Sequence, residues 1–131
     1  FETVSKSDQI RIFSIVVVEN EIETLIGSCS LRNLDLINRS AELQIRIGEE
    51  KYRGNGWGSR AVAALIDFGF RDLNLNRIYL EVFGFNKRAI RVYQKCGFVQ
   101  EGVKKEGVYI NGEYQDIVIM AIIRGKATQA S

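Results

Sequence analysis

The sequence contains no histidine. That excludes a Ser-His-Asp triad, HExxH chemistry and any histidine-ligated metal. Cysteine is scarce, with only Cys29 and Cys96 and no CxxC pair, which excludes a disulfide scaffold and a cysteine-rich zinc site. Both cysteines read most simply as small, unreactive apolar residues. Without a histidine to activate it, a cysteine nucleophile has little support. Proline is absent too, and no functional reading attaches to that. No apolar run is long enough to span a bilayer and no signal-peptide pattern is visible. A cytoplasmic, reducing setting without a membrane partner is the default expectation. Charge of one sign is also lacking: 18 basic against 16 acidic residues leave a net +2, so no nucleic-acid partner is expected.

What is present fits a globular chain. A length of 131 residues suits one domain over 1–131, since two would each be too small for a good core. The chain opens on Phe1 rather than Met, so a trimmed or incomplete start is expected.

Hydrophobic patterning divides the chain into short elements. Residues 11–19 (RIFSIVVVE) are β-branched and apolar and predict a strand. Asn20-Glu21 suits a turn, and 24–31 (TLIGSCSL) predicts the second arm of a hairpin. Residues 32–40 read as a polar, irregular connection. Over 41–47 (AELQIRI) apolar and polar residues alternate, with Ala41, Leu43, Ile45 and Ile47 on one face and Glu42, Gln44 and Arg46 on the other. A helix is predicted after Gly58, to about Asn74. Its polar stripe is only Arg60, Asp67 and Arg71, so burial on most sides is expected. Residues 77–83 predict a strand. Residues 86–96 predict a second helix, with Asn86 as N-cap and Gly97 just past its end. Strands from Phe98 and over 113–123 follow, joined by Asn111-Gly112, a type I′ hairpin signal. The tail from Gly125 to Ser131 reads as frayed. The order is β-β-β-α-β-α-β-β, without repeats, linkers or low-complexity segments.

Two segments carry candidate chemistry. Arg53-Gly54-Asn55-Gly56-Trp57-Gly58 lies between a strand and a helix start. Glycines permit close backbone approach, and the helix start offers free N–H groups and a positive dipole end, a setting suited to phosphate. Arg53 adds a fixed charge with several donors. A Gly-rich corner without a ligand is the plainer alternative. A P-loop would need Lys-Ser/Thr after the glycines, and a dinucleotide fingerprint would need Gly or Ala where Ser59 stands. On the second helix, Lys87, Arg88, Arg91 and Lys95 share one face. They are either a solvated surface or an attractor for a remote phosphate. Tyr93 is central on the opposite, apolar face. It is either a core tyrosine or a buried phenol that donates a proton. Glu42 and Glu81 are candidate proton acceptors or cation binders, or plain surface carboxylates.

Together these segments resemble the GNAT N-acetyltransferases. Arg53-x-x-Gly56-x-Gly58 matches the acetyl-CoA signature Q/R-x-x-G-x-G/A. Downstream, Asn86-Lys-Arg-Ala-Ile-Arg-Val-Tyr93-Gln-Lys-Cys-Gly97-Phe98 is similar to the family's N-x-x-A-I-x-x-Y-x-K-x-G-F. Ala41-Glu42-Leu43-Gln44-Ile45 and Asn111-Gly112-Glu113-Tyr114, with Met120, resemble the ribosomal-protein and spermidine branch. The resemblance implies a single-domain α/β (α+β) fold, a mixed, mostly antiparallel twisted sheet with helices on both faces. The family's first strand and two helices, which wall the acceptor site, are expected to be missing.

The resemblance also implies roles. Backbone groups of Ile45, Arg46 and Ile47 would pair with the pantetheine arm of acetyl-CoA. N–H groups from Arg53, Gly54, Asn55, Gly56, Trp57, Gly58 and Ser59 would hold its diphosphate. Asn86 would bond the pantetheine, with Ala89 beside it, and Arg88 and Lys95 would lie near the adenosine phosphate. Tyr93 would protonate the departing thiolate, while Glu42 or Glu81 would take the amine's proton. The implied acceptor is a protein N-terminus, a polyamine or another small amine; the carboxylates favour a cationic one. No metal is implied, and family habit implies a homodimer. A non-catalytic acyl-CoA-binding module, or a phosphate-binding domain for another nucleotide, is the competing reading.

Overall fold

The computed structural model describes residues 9–48 and 56–125. Six strands and two helices alternate in the expected order: β1 (Arg11–Glu19), β2 (Ile22–Asp35), β3 (Ser40–Ile47), α1 (Trp57–Arg71), β4 (Arg77–Phe83), α2 (Lys87–Lys95), β5 (Val99–Ile110) and β6 (Glu113–Ile123). They form one sheet in the order β1-β2-β3-β4-β6-β5. Only β3 and β4 run parallel as neighbours; the other pairs are antiparallel.

Local chemistry fixes the turns. Asn111 and Gly112 both take positive φ, 51° and 81°, as a type I′ hairpin requires. Asn20 and Glu21 do the same at the first hairpin. Helix α1 stops at Arg71, short of the predicted Asn74. Asn74 itself is left-handed, and fully buried Leu75 turns the chain into β4. Strand β2 runs to Asp35, so the predicted irregular connection at 32–40 is partly strand. Arg32 pairs with Glu42 in register, and the left-handed Asn33 marks a break in the ladder without ending it.

The core lies on one side of the sheet. Cross-strand partners Phe13 and Cys29, Leu31 and Leu43, Ala41 and Ile78, and Leu80 and Met120 are all buried on that face. Phe68 of α1 meets Phe13 edge-on, with ring centres 5.0 Å apart. Ala89, Ile90, Tyr93 and Cys96 of α2 pack against the same cluster. The crossovers β3-α1-β4 and β4-α2-β5 step the same way across the sheet, and crossovers of one hand that step one way land on one face. Among the described residues, therefore, the helices occupy one face rather than both. The other face carries Ser28, Ser30, Arg32, Glu42, Gln44, Arg46, Tyr79 and Glu81. Helix α1 is also less enclosed than predicted: Ala61, Val62, Leu65, Ile66 and Gly69 are buried, but Ala63 is exposed and Phe68 and Phe70 are half-buried. No helix among the described residues is long and apolar enough to cross a membrane.

Candidate functional site

The parallel ladder between β3 and β4 is short. It joins Ser40 to Arg77, Ala41 to Ile78 and Glu42 to Tyr79, and there it ends. Beyond it the strands part. Strand β4 stays bound to β6 as far as Phe83, while β3 stays bound to β2 as far as Ile47. The opening is a cleft of about 300 Å³ lined by Ser28, Cys29, Ser30, Leu43, Gln44, Ile45, Arg46, Glu81 and Tyr93. A gap between strands leaves main-chain edges facing it, and such edges bind extended ligands by adding main-chain hydrogen bonds.

Tyr93 enters the cleft from α2. Its ring stands edge-on to Phe98, with centres 5.8 Å apart. The chain reverses tightly here, with the Phe98 N–H donating to the Tyr93 carbonyl (3.0 Å) and left-handed Gly97 between. Burial raises the phenol above its ordinary value, so it keeps its proton at neutral pH. No buried side-chain polar atom among the described residues lacks a partner.

At the other end, α1 begins on Gly56 with φ 86° and ψ −5°, a left-handed conformation suited to glycine. No side chain caps this start and no acid sits in its first turn, so its N–H groups and dipole are available to an anion. Gly58 brings the helix against Ile47: a Cβ there would lie 3.6 Å from Ile47 Cδ1. The Cys96 thiol donates to the Ser59 carbonyl (3.8 Å), tying the end of α2 to the start of α1. Trp57 lies elsewhere, lining a separate hollow of about 190 Å³ against β1 with Arg60, whose guanidinium stands 5.0 Å from the ring centre. Arg53, Gly54 and Asn55 lie outside the described residues, as does the tail from 126 to 131.

Asn86 caps α2 as the sequence predicts: its Oδ1 accepts from the Ala89 N–H at 3.1 Å. Lys87, Arg88, Arg91 and Lys95 are exposed and have no ion-pair partner among the described residues. Helix α2 thus has basic residues and no acid in its first turn, at the positive end of its dipole, and a bound anion would relieve this.

The candidate acids are placed differently. Glu81 lines the cleft, and its Oε2 accepts from Lys104 Nζ at 2.6 Å. Glu42 does not line it; its Oε1 accepts from Asn33 Nδ2 at 2.9 Å and lies 3.6 Å from Arg32 Nε. Cys29 lies at the cleft wall but is buried, its thiol pushed up to about 11 by that burial, and is therefore inert. Sequence reasoning missed Ser28, Ser30 and Gln44. Ser28 opposes Arg46 and Ser30 opposes Gln44 across β2 and β3, so the Ser-x-Ser alternation beside the 41–47 strand was the available signal. Among the described residues, no group of three or more His, Cys, Asp or Glu side chains is placed to hold a metal ion.

Comparison with known proteins is consistent with this geometry. Residues 2–99 match the family model described as "Acetyltransferase (GNAT) domain". A spermidine N(1)-acetyltransferase from Vibrio cholerae is 42% identical over 110 residues, covering 84% of this chain and 63% of that protein. A putative ribosomal N-acetyltransferase, YdaF, from Bacillus subtilis is 35% identical over 101 residues, covering 77% and 55%. The chain thus spans between half and two thirds of the length of these relatives. The crystal structure of the Vibrio cholerae spermidine N-acetyltransferase in complex with CoA and spermine superimposes with a TM-score of 0.82 at 38% identity, covering 92% of this chain and 69% of that one. On the matched residues and the shared fold, the chain belongs to the GNAT acetyltransferase family.

Proposed function

We propose that the protein transfers an acetyl group from acetyl-CoA to a primary amine, in a ternary complex and without a covalent enzyme intermediate. The observation that carries this is the parting of β3 from β4 after three ladder pairs, with Tyr93 and Glu81 in the opening. The related spermidine acetyltransferases favour a polyamine as the acceptor, and a protein N-terminal amine is the alternative.

The residues fit the carrier along its length. The β3 edge from Leu43 to Arg46 offers main-chain groups to an extended amide-bearing arm, and Ile47 closes that edge against α1. The N–H groups at Gly56–Ser59 suit the diphosphate, with Arg53, Gly54 and Asn55 assigned there from the sequence. Asn86 offers its amide hydrogens while its oxygen caps α2, next to Ala89. Arg88 and Lys95 face the adenosine phosphate. Bound acetyl-CoA supplies an activated acyl group and a thiol leaving group.

The chain's own groups then divide the proton work. An alkylammonium has a pKa of about 10.4 and must lose a proton before it attacks. Glu81, or a water it holds, accepts that proton; Glu42, outside the cleft, adds negative charge that draws a cation toward it. A β3 N–H polarises the carbonyl as its oxygen gains charge. Tyr93 delivers a proton to the sulfur. The test is a turnover screen with acetyl-CoA against alkyl polyamines, amino-terminal peptides and other small amines. Acetylated product with one of these classes is expected. CoA binding without transfer to any amine would overturn the enzymatic reading in favour of a binding module.

Asn86 gives a sharper test. Asn86→Ala removes the cap and should destabilise the protein by about 1 kcal/mol. Asn86→Asp keeps the capping oxygen but loses the amide donor, so it should melt within a few degrees of wild type while CoA binding weakens severalfold, roughly the loss of one hydrogen bond. Melting curves and calorimetric CoA titrations check both.

A further inference from the structure

We infer that the Lys104 ammonium competes with the acceptor's ammonium for Glu81, the one carboxylate lining the cleft among the described residues, and so sets how tightly cationic amines bind. The inference rests on the acetyltransferase reading and deepens it toward acceptor affinity.

Lys104 Nζ lies 2.6 Å from Glu81 Oε2. Among the described residues that line the cleft, Glu81 is the single acid, beside one base, Arg46. An ammonium drawn into the cleft by charge therefore has Glu81 as its carboxylate partner there. The position is already held by a primary alkylammonium of the chain itself, chemically the same group as a polyamine terminus.

The register shows how Lys104 reaches it. Glu81 opposes Ile119 across β4 and β6, and Lys104 opposes Ile117 across β5 and β6. The lysine stem thus crosses β6 to reach the cleft. The β5–β6 register shifts just after Lys104, so its strand leaves the ladder close to this contact. Glu42 adds a second, more distant attraction, and both carboxylates raise the Lys104 pKa. Lys104 is held as a cation. Yet its side chain is 52% exposed and that of Glu81 38%, so the pair is wet, screened by salt and readily exchanged for another ammonium. A carboxylate accepts several hydrogen bonds, but two ammonium groups at one carboxylate repel each other.

The test measures the acceptor KM for a linear alkyl triamine, together with the Kd of CoA, for wild type, Lys104→Met, Lys104→Arg, Glu81→Gln and the double variant Glu81→Gln/Lys104→Met. Lys104→Met should lower the triamine KM about three- to fivefold at low ionic strength, the scale of an exposed ion pair. Lys104→Arg should stay near wild type, and the CoA Kd should not move in either Lys104 single variant. The gain should shrink toward nothing at about 0.5 M salt, where the screening length is only a few ångströms. It should also vanish when the double variant is compared with Glu81→Gln alone, since neither has a carboxylate left to free. An unchanged or raised KM in Lys104→Met would overturn the inference, because Lys104 would then only hold Glu81 in place. Failure of every form to acetylate the triamine or any other amine would overturn the acetyltransferase reading and this inference with it. Turnover with an unaltered KM would overturn the inference alone.

Discussion

Tyr93→Phe is expected to lower kcat about 100-fold or more, the scale of losing a positioned proton donor, while CoA affinity stays within about twofold. The ring remains to pack on Phe98, so the melting temperature should change little. The pH profile adds an independent check. Burial raises the phenol's pKa, so the folded protein holds this proton to higher pH than an ordinary tyrosine would. The wild-type alkaline limb of kcat should therefore lie above pH ~10, and the Phe variant should lack that limb. A variant with full turnover would remove Tyr93 from the chemistry.

Gly27→Ala is expected to be the most damaging single-methyl change near the cleft. Gly27 of β2 opposes Ile47 of β3 and lies beside the irregularity where Ile15 and Val16 change register. A Cβ there would run into the Arg46 carbonyl oxygen and stand 2.9 Å from Ile47 Cα. Both obstacles are backbone and cannot rotate away, so β3 itself has to move at the positions assigned to the acyl carrier. Loss of stability of about 2 kcal/mol is expected, as for other overpacked interiors. CoA affinity should fall more than tenfold, measured by calorimetry well below the melting temperature. Gly102→Ala is the matched control. It also sits at an irregularity, in β5, but its Cβ would meet nothing within 4 Å, so a change within about 0.5 kcal/mol and unaltered CoA binding are expected.

Legibility in the sequence followed the strength of local signals. The alternation of Ala41–Ile47, the Asn86 cap, Gly97 and the Asn111-Gly112 turn act within a few residues, and each is found where the sequence places it. The continuation of β2 past Leu31 was hidden, because Arg32 and Asn33 look like loop residues until Glu42 stands opposite to receive them. Ser28, Ser30 and Gln44 were invisible for a related reason: nothing in one strand says which neighbour it faces. The two acids were legible as candidates but not distinguishable. Only the crossing of Lys104 over β6 and the pull of Arg32 separate a carboxylate in the cleft from one beside it. Enclosure of α1 was overestimated because apolar composition does not reveal how much sheet is available to cover a helix.

The brevity of the β3–β4 ladder has a thermodynamic corollary. The hydrogen-bonded ladder across the middle of the sheet is only three residue pairs long, and a single buried core joins the β1-β2-β3 and β4-β5-β6 halves on one face. A ligand presenting amide groups along Leu43–Arg46 would act there as a seventh strand, stitching one half to the other. Occupancy should then register as heat resistance: saturation at 100 times Kd adds about 2.7 kcal/mol to folding stability.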